Sequence, residues 1–463
     1  MLAGRTTGTG RRPRGRDPLS AAEVAAACTA VRERHPGLNF VEVELHEGSS
    51  AGASGPGRRR AHVLTYDRRN NATTSHVVAV GAGAGTGAAV VEESVSHGDG
   101  QVQPAIDGEE YEAAERLVKC HPPFVAAMRA RGVEDVEGRV AVDLWCAGWF
   151  SEADSPKRRL GKPLIFLKGG RGGNNIYACP VEGIEVTIDL AKMEIVEFAD
   201  LERRPLPRPD AYSDFDGETE TAGHAAAGLC RPLKPLTFQQ AEGPSFSVDG
   251  YSVEWWRWKF SVGWTPREGL VLHDVSVGDV DRGCRRQVAQ RISFVEMVVP
   301  YGDPREPHCR KNAFDAGEDG LGKNAHSLRL NCDCLGGHIW YFDAHQSTWD
   351  GGVETIEQAI CMHEEDQVRT CGRREERRTD SDNSGPAVEA PGLAHGRDAL
   401  EAGSAARGLL HLHDRQLRLP VRRFLQGESV RPRREGPRTD WEKRTTGRST
   451  ATFNSPGSCR PAC

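Results

Sequence analysis

Hydrophobic and polar residues along the chain follow patterns that predict two successive α+β domains. In the first, residues 17–105, Ser20 is placed to cap a helix with Glu23 three positions later, and apolar residues follow at helical spacing. Three segments then alternate between apolar and polar residues, as half-buried strands do: 40–45, 62–66 and 76–80. The pattern predicts a short amphipathic helix packed on a small sheet.

Residues 106–205 repeat this plan. A helix is predicted to begin near Glu109, to break at the pair Pro122-Pro123, and to be followed by a second short helix that ends near Gly132. Three segments with strand character come next: 140–145, 163–167 and 183–189. Residues 206–231 are acidic, rich in Gly and Ala and without periodicity, which is typical of a linker.

Residues 232–366 are rich in strands and aromatic residues, and glycine turns recur about every ten residues, which predicts an antiparallel β-sandwich. From 367 to 463 the sequence is rich in Arg, Gly, Pro and Glu and has few aromatic residues, so a disordered tail is expected. Residues 1–16 are rich in Arg, Gly and Thr and lack acids. They predict either a disordered segment or an organelle transit peptide. The fold class is therefore α+β.

Composition narrows the classes of function. The formal net charge of −6 over 463 residues is small and the basic residues are spread out, so a nucleic-acid partner is not expected. No run of about eighteen apolar residues and no secretory signal is present, which indicates a soluble intracellular protein without a membrane partner, in the cytoplasm or a peroxisome. Thirteen cysteines without a dense repeating spacing are typical of free thiols.

Two motifs allow more than one interpretation. The glycine-rich stretch 81–87 contains G-x-G spacings but no helix opens behind it, so it predicts a loop; a nicotinamide-dependent oxidoreductase is the alternative. Asp315 follows Phe314 and precedes small residues. A carboxylate against apolar neighbours is disfavoured in its charged form, which can tune it into a general base, but the residues alone favour a turn aspartate with satisfied hydrogen bonds.

Five blocks in the last folded region resemble, in order and spacing, the copper amine oxidases. The resemblance extends over about residues 17–366, with 17–20 similar to the start of the family's first cystatin-like domain, and 158–160 with 175–183 similar to its second. The β-rich region is then part of the catalytic domain. The five blocks are 298–304, 313–318, 332–336, 341–344 and 361–366.

The resemblance implies a primary-amine oxidase that converts amines to aldehydes with release of ammonia and hydrogen peroxide. Its partners would be a small primary amine and dioxygen, its cofactors copper and topaquinone, and its assembly a homodimer. By motif position Asp315 matches the proton acceptor and Tyr301 a tyrosine that hydrogen-bonds the quinone. Ala313 and Phe314 match the substrate channel, and Ala313 replaces an aromatic gate found in some members.

Two cysteines, Cys334 and Cys361, match a disulfide of the family's catalytic domain. Two free buried thiols are the alternative if the compartment is reducing. Cys332 and His363 suggest part of a metal site, but the disulfide precedent argues against it, and no metal ligand is predicted.

The resemblance stops near Asp366. The family's quinone tyrosine lies in an Asn-Tyr motif, and this sequence contains no Asn-Tyr pair. The segment His411-Leu412-His413 has the spacing of a copper-binding pair but lacks the surrounding motif and a third histidine, so it is not assigned to copper. Codons permitted for 411–420, read one nucleotide later, can encode Ile-Cys-Thr-Thr-Gly-Asn-Tyr-Asp-Tyr, which suggests an out-of-frame tail beginning near Gln367. Two functions remain: a catalytically incomplete amine oxidase and a non-enzymatic binding protein.

Overall fold

The computed structural model describes most of the chain before residue 367 and one short segment after it. The described ranges are 2–6, 15–47, 59–80, 89–98, 102–148, 158–169, 175–208, 239–305, 308–314, 316–330, 333–334, 337–366 and 408–413.

The secondary structure follows the predicted order of domains. The N-terminal part contains β1 (Leu2–Thr6), α1 (Ala21–Arg34), β2 (Asn39–Leu45), β3 (Arg59–Asp67), β4 (Ala72–Val80) and β5 (Val90–His97). The middle part contains α2 (Gly108–Cys120), α3 (Pro122–Arg129), α4 (Val136–Arg139), β6 (Val140–Asp143), β7 (Leu160–Gly161), β8 (Leu164–Gly169), β9 (Asn175–Pro180), β10 (Ile184–Asp189) and β11 (Glu194–Asp200).

The third part consists of strands. They are β12 (Phe246–Asp249), β13 (Ser252–Trp255), β14 (Trp258–Thr265), β15 (Gly269–Asp279), β16 (Cys284–Ser293), β17 (Val298–Pro300), β18 (Asn312–Phe314), β19 (His338–Ser347), β20 (Val353–Asp366) and β21 (Gly408–His413).

The first module packs α1 on an antiparallel sheet of order β2-β3-β4-β5. The predicted cap is confirmed: the Glu23 N–H donates to Ser20 Oγ at 3.3 Å, and the Ser20 N–H donates to the Glu23 carboxylate at 2.9 Å. Val24, Val31 and Val63 form part of the apolar core between helix and sheet. Strand β5 was not predicted, because most of its residues are exposed and the apolar alternation is lost.

The second module packs α2, α3 and α4 on two three-stranded sheets, β6-β8-β9 and β11-β10-β7. Asp107 caps α2, with Glu110 completing the reciprocal pair of hydrogen bonds. The predicted helix break is confirmed, since Pro122 opens α3. The strand predicted over 140–145 is shorter than expected. It is β6, which ends at Asp143.

Each of the two modules contains a buried arginine that binds a glutamate in the first turn of a helix and two carbonyls before that helix. We call this arrangement the arginine latch. In the first module, Arg59 donates to Glu23 at 2.7 Å and to the carbonyls three and two residues before the helix cap. In the second, Arg159 donates to Glu110 at 2.6 Å and to the two equivalent carbonyls. In the first module the arginine belongs to a strand, and in the second it lies just before a strand; each thus connects that strand region to the start of a helix. Both arginines are buried, where a charge requires a partner.

The third part is a β-sandwich, as the sequence predicted. A meander of order β12-β13-β14-β15-β16 packs against a sheet of order β1-β19-β20-β21. The core between them includes Phe260 and Leu272 from the first sheet and Phe342 and Ile360 from the second. Strands β17 and β18 form a separate antiparallel pair.

Two strands correct the expectation that residues 1–16 and 367–463 are disordered throughout. Strand β1 pairs in parallel with β19, and Arg5 contacts the buried Asp343 carboxylate at 2.9 Å; β21 pairs with β20. Outer strands present unpaired backbone groups, which short segments can cover whatever their composition. The domain boundaries themselves stay predictions. Within the described residues, each helix is too short or too polar to cross a membrane.

Candidate active site

Asp315, the predicted proton acceptor, lies outside the described residues, but the turn around it is well defined. Before it, the Phe314 N–H donates to the Glu318 carboxylate at 3.4 Å, and the Glu318 N–H donates back to the Phe314 carbonyl at 2.9 Å. After it, the Ala316 N–H donates to Glu296 Oε1 at 2.9 Å. Two carboxylates therefore hold the backbone on both sides of Asp315.

A cleft of about 480 Å³ lies between this turn and the second module. Its walls are mainly aromatic and acidic. The lining residues are Tyr111, Asp143, Leu144, Trp145 and Tyr177 from the second module, and Phe314, Glu318, Asp319, Leu321 and Asn324 from the third part.

The acids of the cleft bind the polar tips of its aromatic rings. The Tyr111 hydroxyl donates to Asp319 at 2.7 Å, and the Trp145 indole N–H donates to Asp143 at 2.8 Å. Burial, and then the Asp319 charge, raise the pKa of the Tyr111 phenol, and burial raises the pKa of Asp143. The polar tips of Tyr111 and Trp145 are thereby satisfied within the cleft.

Lys311 already demonstrates how these rings hold an ammonium group. Its Nζ lies 3.9 Å from the ring centre of Trp145 and 4.7 Å from that of Tyr301. Burial lowers the pKa of Lys311, and the charges of Asp143 and Glu318 oppose this effect. Tyr301 is exposed and contacts Lys311 without lining the cleft, so its predicted quinone contact stays a prediction.

Glu318 is a residue that the sequence analysis did not assign a role. Burial raises the pKa of its carboxyl to about 7, the Phe314 N–H lowers it, and the Asp319 charge raises it. The Cys146 thiol donates to it at 3.7 Å. The sequence could have pointed to Glu318, because Glu318 lies in the same motif as Asp315. The presence of Trp145 and Tyr177 in the same cleft depends on the fold and could not be predicted.

The two predicted channel residues point to different sides of β18. Phe314 lines the cleft and is 36% exposed, whereas Ala313 is 7% exposed and does not line it. Successive residues of a strand face opposite ways, which explains the difference. Phe314 thus forms part of the cleft wall, and the channel roles of Phe314 and Ala313 stay predictions.

Cys334 and Cys361 are buried in one small cluster with Tyr341. Burial, and then the neighbouring Cys334, raise the pKa of Cys361, so the two side chains lie close together, and the disulfide between them stays a prediction. Cys361 Sγ lies 3.5 Å from Nδ1 of the buried His363. Cys332 lies outside the described residues.

Comparison with known proteins agrees with this geometry. A family model described as the enzyme domain of copper amine oxidase matches residues 247–388, and one described as the N3 domain of copper amine oxidase matches 109–217. The chain belongs to the copper amine oxidase family. The enzyme-domain match corrects one expectation, because it continues past Asp366 to residue 388.

Two relatives illustrate how much of a copper amine oxidase this chain matches. It is 46% identical over 392 residues to N-methylputrescine oxidase 1, peroxisomal, from Nicotiana tabacum. This match covers 76% of this chain and 48% of that protein. The chain is 37% identical over 359 residues to a primary amine oxidase from Arthrobacter sp. (strain P1), covering 76% and 52%. The chain thus spans about half the length of the curated relatives it matches.

A solved structure in the family has a similar fold. The copper-containing benzylamine oxidase from Hansenula polymorpha superimposes with a TM-score of 0.61 at 27% identity, covering 76% of this chain and 56% of that one. The similarity supports the α+β architecture with its sandwich.

The family implies a copper ion held by three histidines and a quinone. Within the described residues, one group of side chains meets the geometry of a metal site: Glu42, Glu44 and His62. It contains a single histidine. These residues do not fit the copper site of the family. His411 and His413 lie on β21. The predicted lack of copper ligands stays a prediction.

Proposed function

We propose that this chain provides the amine-binding and proton-accepting half of a copper amine oxidase active site. The observation that carries the proposal is the aromatic and acidic cleft, which is lined by Phe314 and Glu318 of the motif that contains Asp315. The names of the relatives, which include a primary amine oxidase and a diamine oxidase, support amines as the substrate class. The reaction of the complete enzyme would be oxidative deamination to an aldehyde, ammonia and hydrogen peroxide.

The cleft suits a primary amine because such a molecule combines a cation with an apolar chain. Asp143 and Asp319 provide negative charge, Glu318 adds to it in its deprotonated form, and the rings of Trp145 and Phe314 provide apolar surface. An ammonium over an aromatic ring gains about 0.5–2 kcal/mol, depending on how far it is desolvated. Lys311 over Trp145 is an internal example of this contact.

Asp315 would accept a proton from the carbon that bears the amine. A base contributes most when it is positioned before the substrate arrives, because the entropy of ordering it is then already lost. The hydrogen bonds from the turn to Glu296 and Glu318 support this role. Glu318, whose pKa lies near 7, is suited to exchange protons with the cleft at neutral pH.

We further propose that the chain binds amines without turning them over, since its sequence has no Asn-Tyr pair to supply the quinone. Purified chain supplied with copper, oxygen and phenylethylamine should develop no quinone absorbance and release no peroxide. Peroxide formation would show that the site is complete. Sequencing the transcript across Asp366 would test the out-of-frame hypothesis, which fails if these same residues are read in an open frame.

Isothermal titration with 2-phenylethylamine tests the binding proposal directly. We expect Trp145→Leu to weaken binding by about 2- to 30-fold, the range that corresponds to one lost cation–π contact. Trp256→Leu is the matched control, because Trp256 is exposed and does not line the cleft. Equal affinities for all three proteins would overturn the proposed cleft. Absence of any amine binding would favour the second candidate, a non-enzymatic binding protein.

The cellular location and assembly are proposals too. Three relatives are named as peroxisomal, which supports a peroxisomal location over the cytoplasm and over another organelle. A fluorescent fusion imaged with a peroxisomal marker tests it. The homodimer implied by the family is tested by light scattering, and an exclusively monomeric mass would contradict it.

A further inference from the structure

A group of side chains of the types that bind metals lies on the sheet of the first module, away from the amine cleft. Val41 and Val43 of β2 are buried, so the alternating residues Glu42 and Glu44 face the other side of the sheet. His62 of β3 lies directly opposite Glu44 in the register. The ligand atoms of Glu42, Glu44 and His62 all lie within 4.8 Å of one another.

We propose that Glu42, Glu44 and His62 bind a divalent metal ion of the zinc type. Zinc binds imidazole nitrogen and carboxylate oxygen at about 2.0–2.2 Å, which places neighbouring ligand atoms roughly 3–4 Å apart. His62 Nδ1 and Glu44 Oε1 are 3.6 Å apart and already have this spacing. The Glu42 carboxylate, within 4.8 Å of both other ligand atoms, would be the third ligand.

The charged side chains that the structure describes around the group leave the Glu42 carboxylate without an ion-pair partner. Two arginines that line the same cleft are paired with other carboxylates, Arg267 with Glu296 at 3.5 Å and Arg291 with Glu268 and Glu47. Among the described residues, the Glu42 carboxylate forms no side-chain hydrogen bond and no ion pair within 4 Å, and Lys323, His62 and Arg267 act on it through their charge. A partly buried carboxylate in this position gains most from a metal ion.

Space for the remaining coordination positions is present. The three ligands line a separate cleft of about 460 Å³, together with His46, Glu47, Arg267, Glu268 and Arg291. Zinc sites with three protein ligands keep a further position for water. The positive charges of Arg267 and Lys323 would lower the affinity without blocking the site.

Metal-free full-length chain should be titrated with Zn²⁺ by calorimetry and with Co²⁺ by visible absorption. We expect one equivalent to bind with nitrogen and oxygen ligands, giving Co²⁺ d–d bands without the charge-transfer bands of cysteine thiolates. Glu42→Gln and His62→Gln should each weaken binding at least about 10-fold, the lower bound seen even for residues that merely support a ligand. His345→Gln, in the sandwich, should bind like the parent.

Three results would overturn the proposal: no binding of either ion, binding through thiolates, or unchanged affinity in both ligand variants. Circular dichroism of the metal-free variants establishes whether they fold, and Glu44→Gln provides a third ligand variant if one does not. None of these results bears on amine binding, because the Trp145 variant is tested independently.

Discussion

The arginine latch of the second module should be essential for the amine cleft, and Glu110→Gln tests this. Glu110 is completely buried and its partner Arg159 is 4% exposed, so the amide leaves a buried guanidinium without its counter-charge. Breaking a buried ion pair in this way costs about 3–5 kcal/mol. The cost falls on helix α2, which also carries Tyr111, the residue that contacts Asp319 across the cleft.

Hydrogen exchange followed by mass spectrometry at pH 7 measures this loss locally. A loss of about 3 kcal/mol corresponds to more than about 100-fold faster exchange for amides that open with α2. Helix α1 serves as the internal control, because its own latch, Glu23 with Arg59, is intact in the variant. Amine affinity should fall with the loss of order in α2. Unchanged exchange in α2 would refute the view that the latch holds this helix.

Three further predictions concern titration and backbone geometry. Burial lowers the pKa of His76 to about 4, so stability is lost as pH falls from 6.5 towards 4, by about 2 kcal/mol at pH 5; His76→Gln should remove this dependence in urea denaturation. The raised pKa of Glu318, about 7, means that stability falls as pH rises from 4.5 through 7, and Glu318→Gln should flatten that part of a melting-temperature profile. Gly183→Ala should lower the melting temperature far more than Gly243→Ala; both have positive φ, but a Cβ at Gly183 would lie 2.0 Å from the Glu202 carbonyl oxygen and one at Gly243 meets nothing.

Features encoded by neighbouring residues were predictable from the sequence, whereas those that depend on folding were not. The cap formed by Ser20 and Glu23 could be read directly, because its two residues are three apart. The cleft could not, since Trp145 and Phe314 come from different modules. The channel roles of Ala313 and Phe314 came from resemblance alone, and only the pairing of β18 shows which of them faces the cleft.

Amine binding and amine oxidation make different physical demands on the proposed half-site. Binding requires ring faces and carboxylates, and these lie within the described residues around Trp145 and Glu318. Oxidation also requires an acceptor for electrons, which none of these side chains provides, so a correctly formed cleft predicts affinity without turnover. Affinity that survived the loss of Trp145 and Glu318 together would separate the binding site from Asp315, and the proposed half-site would then have no role for its acid.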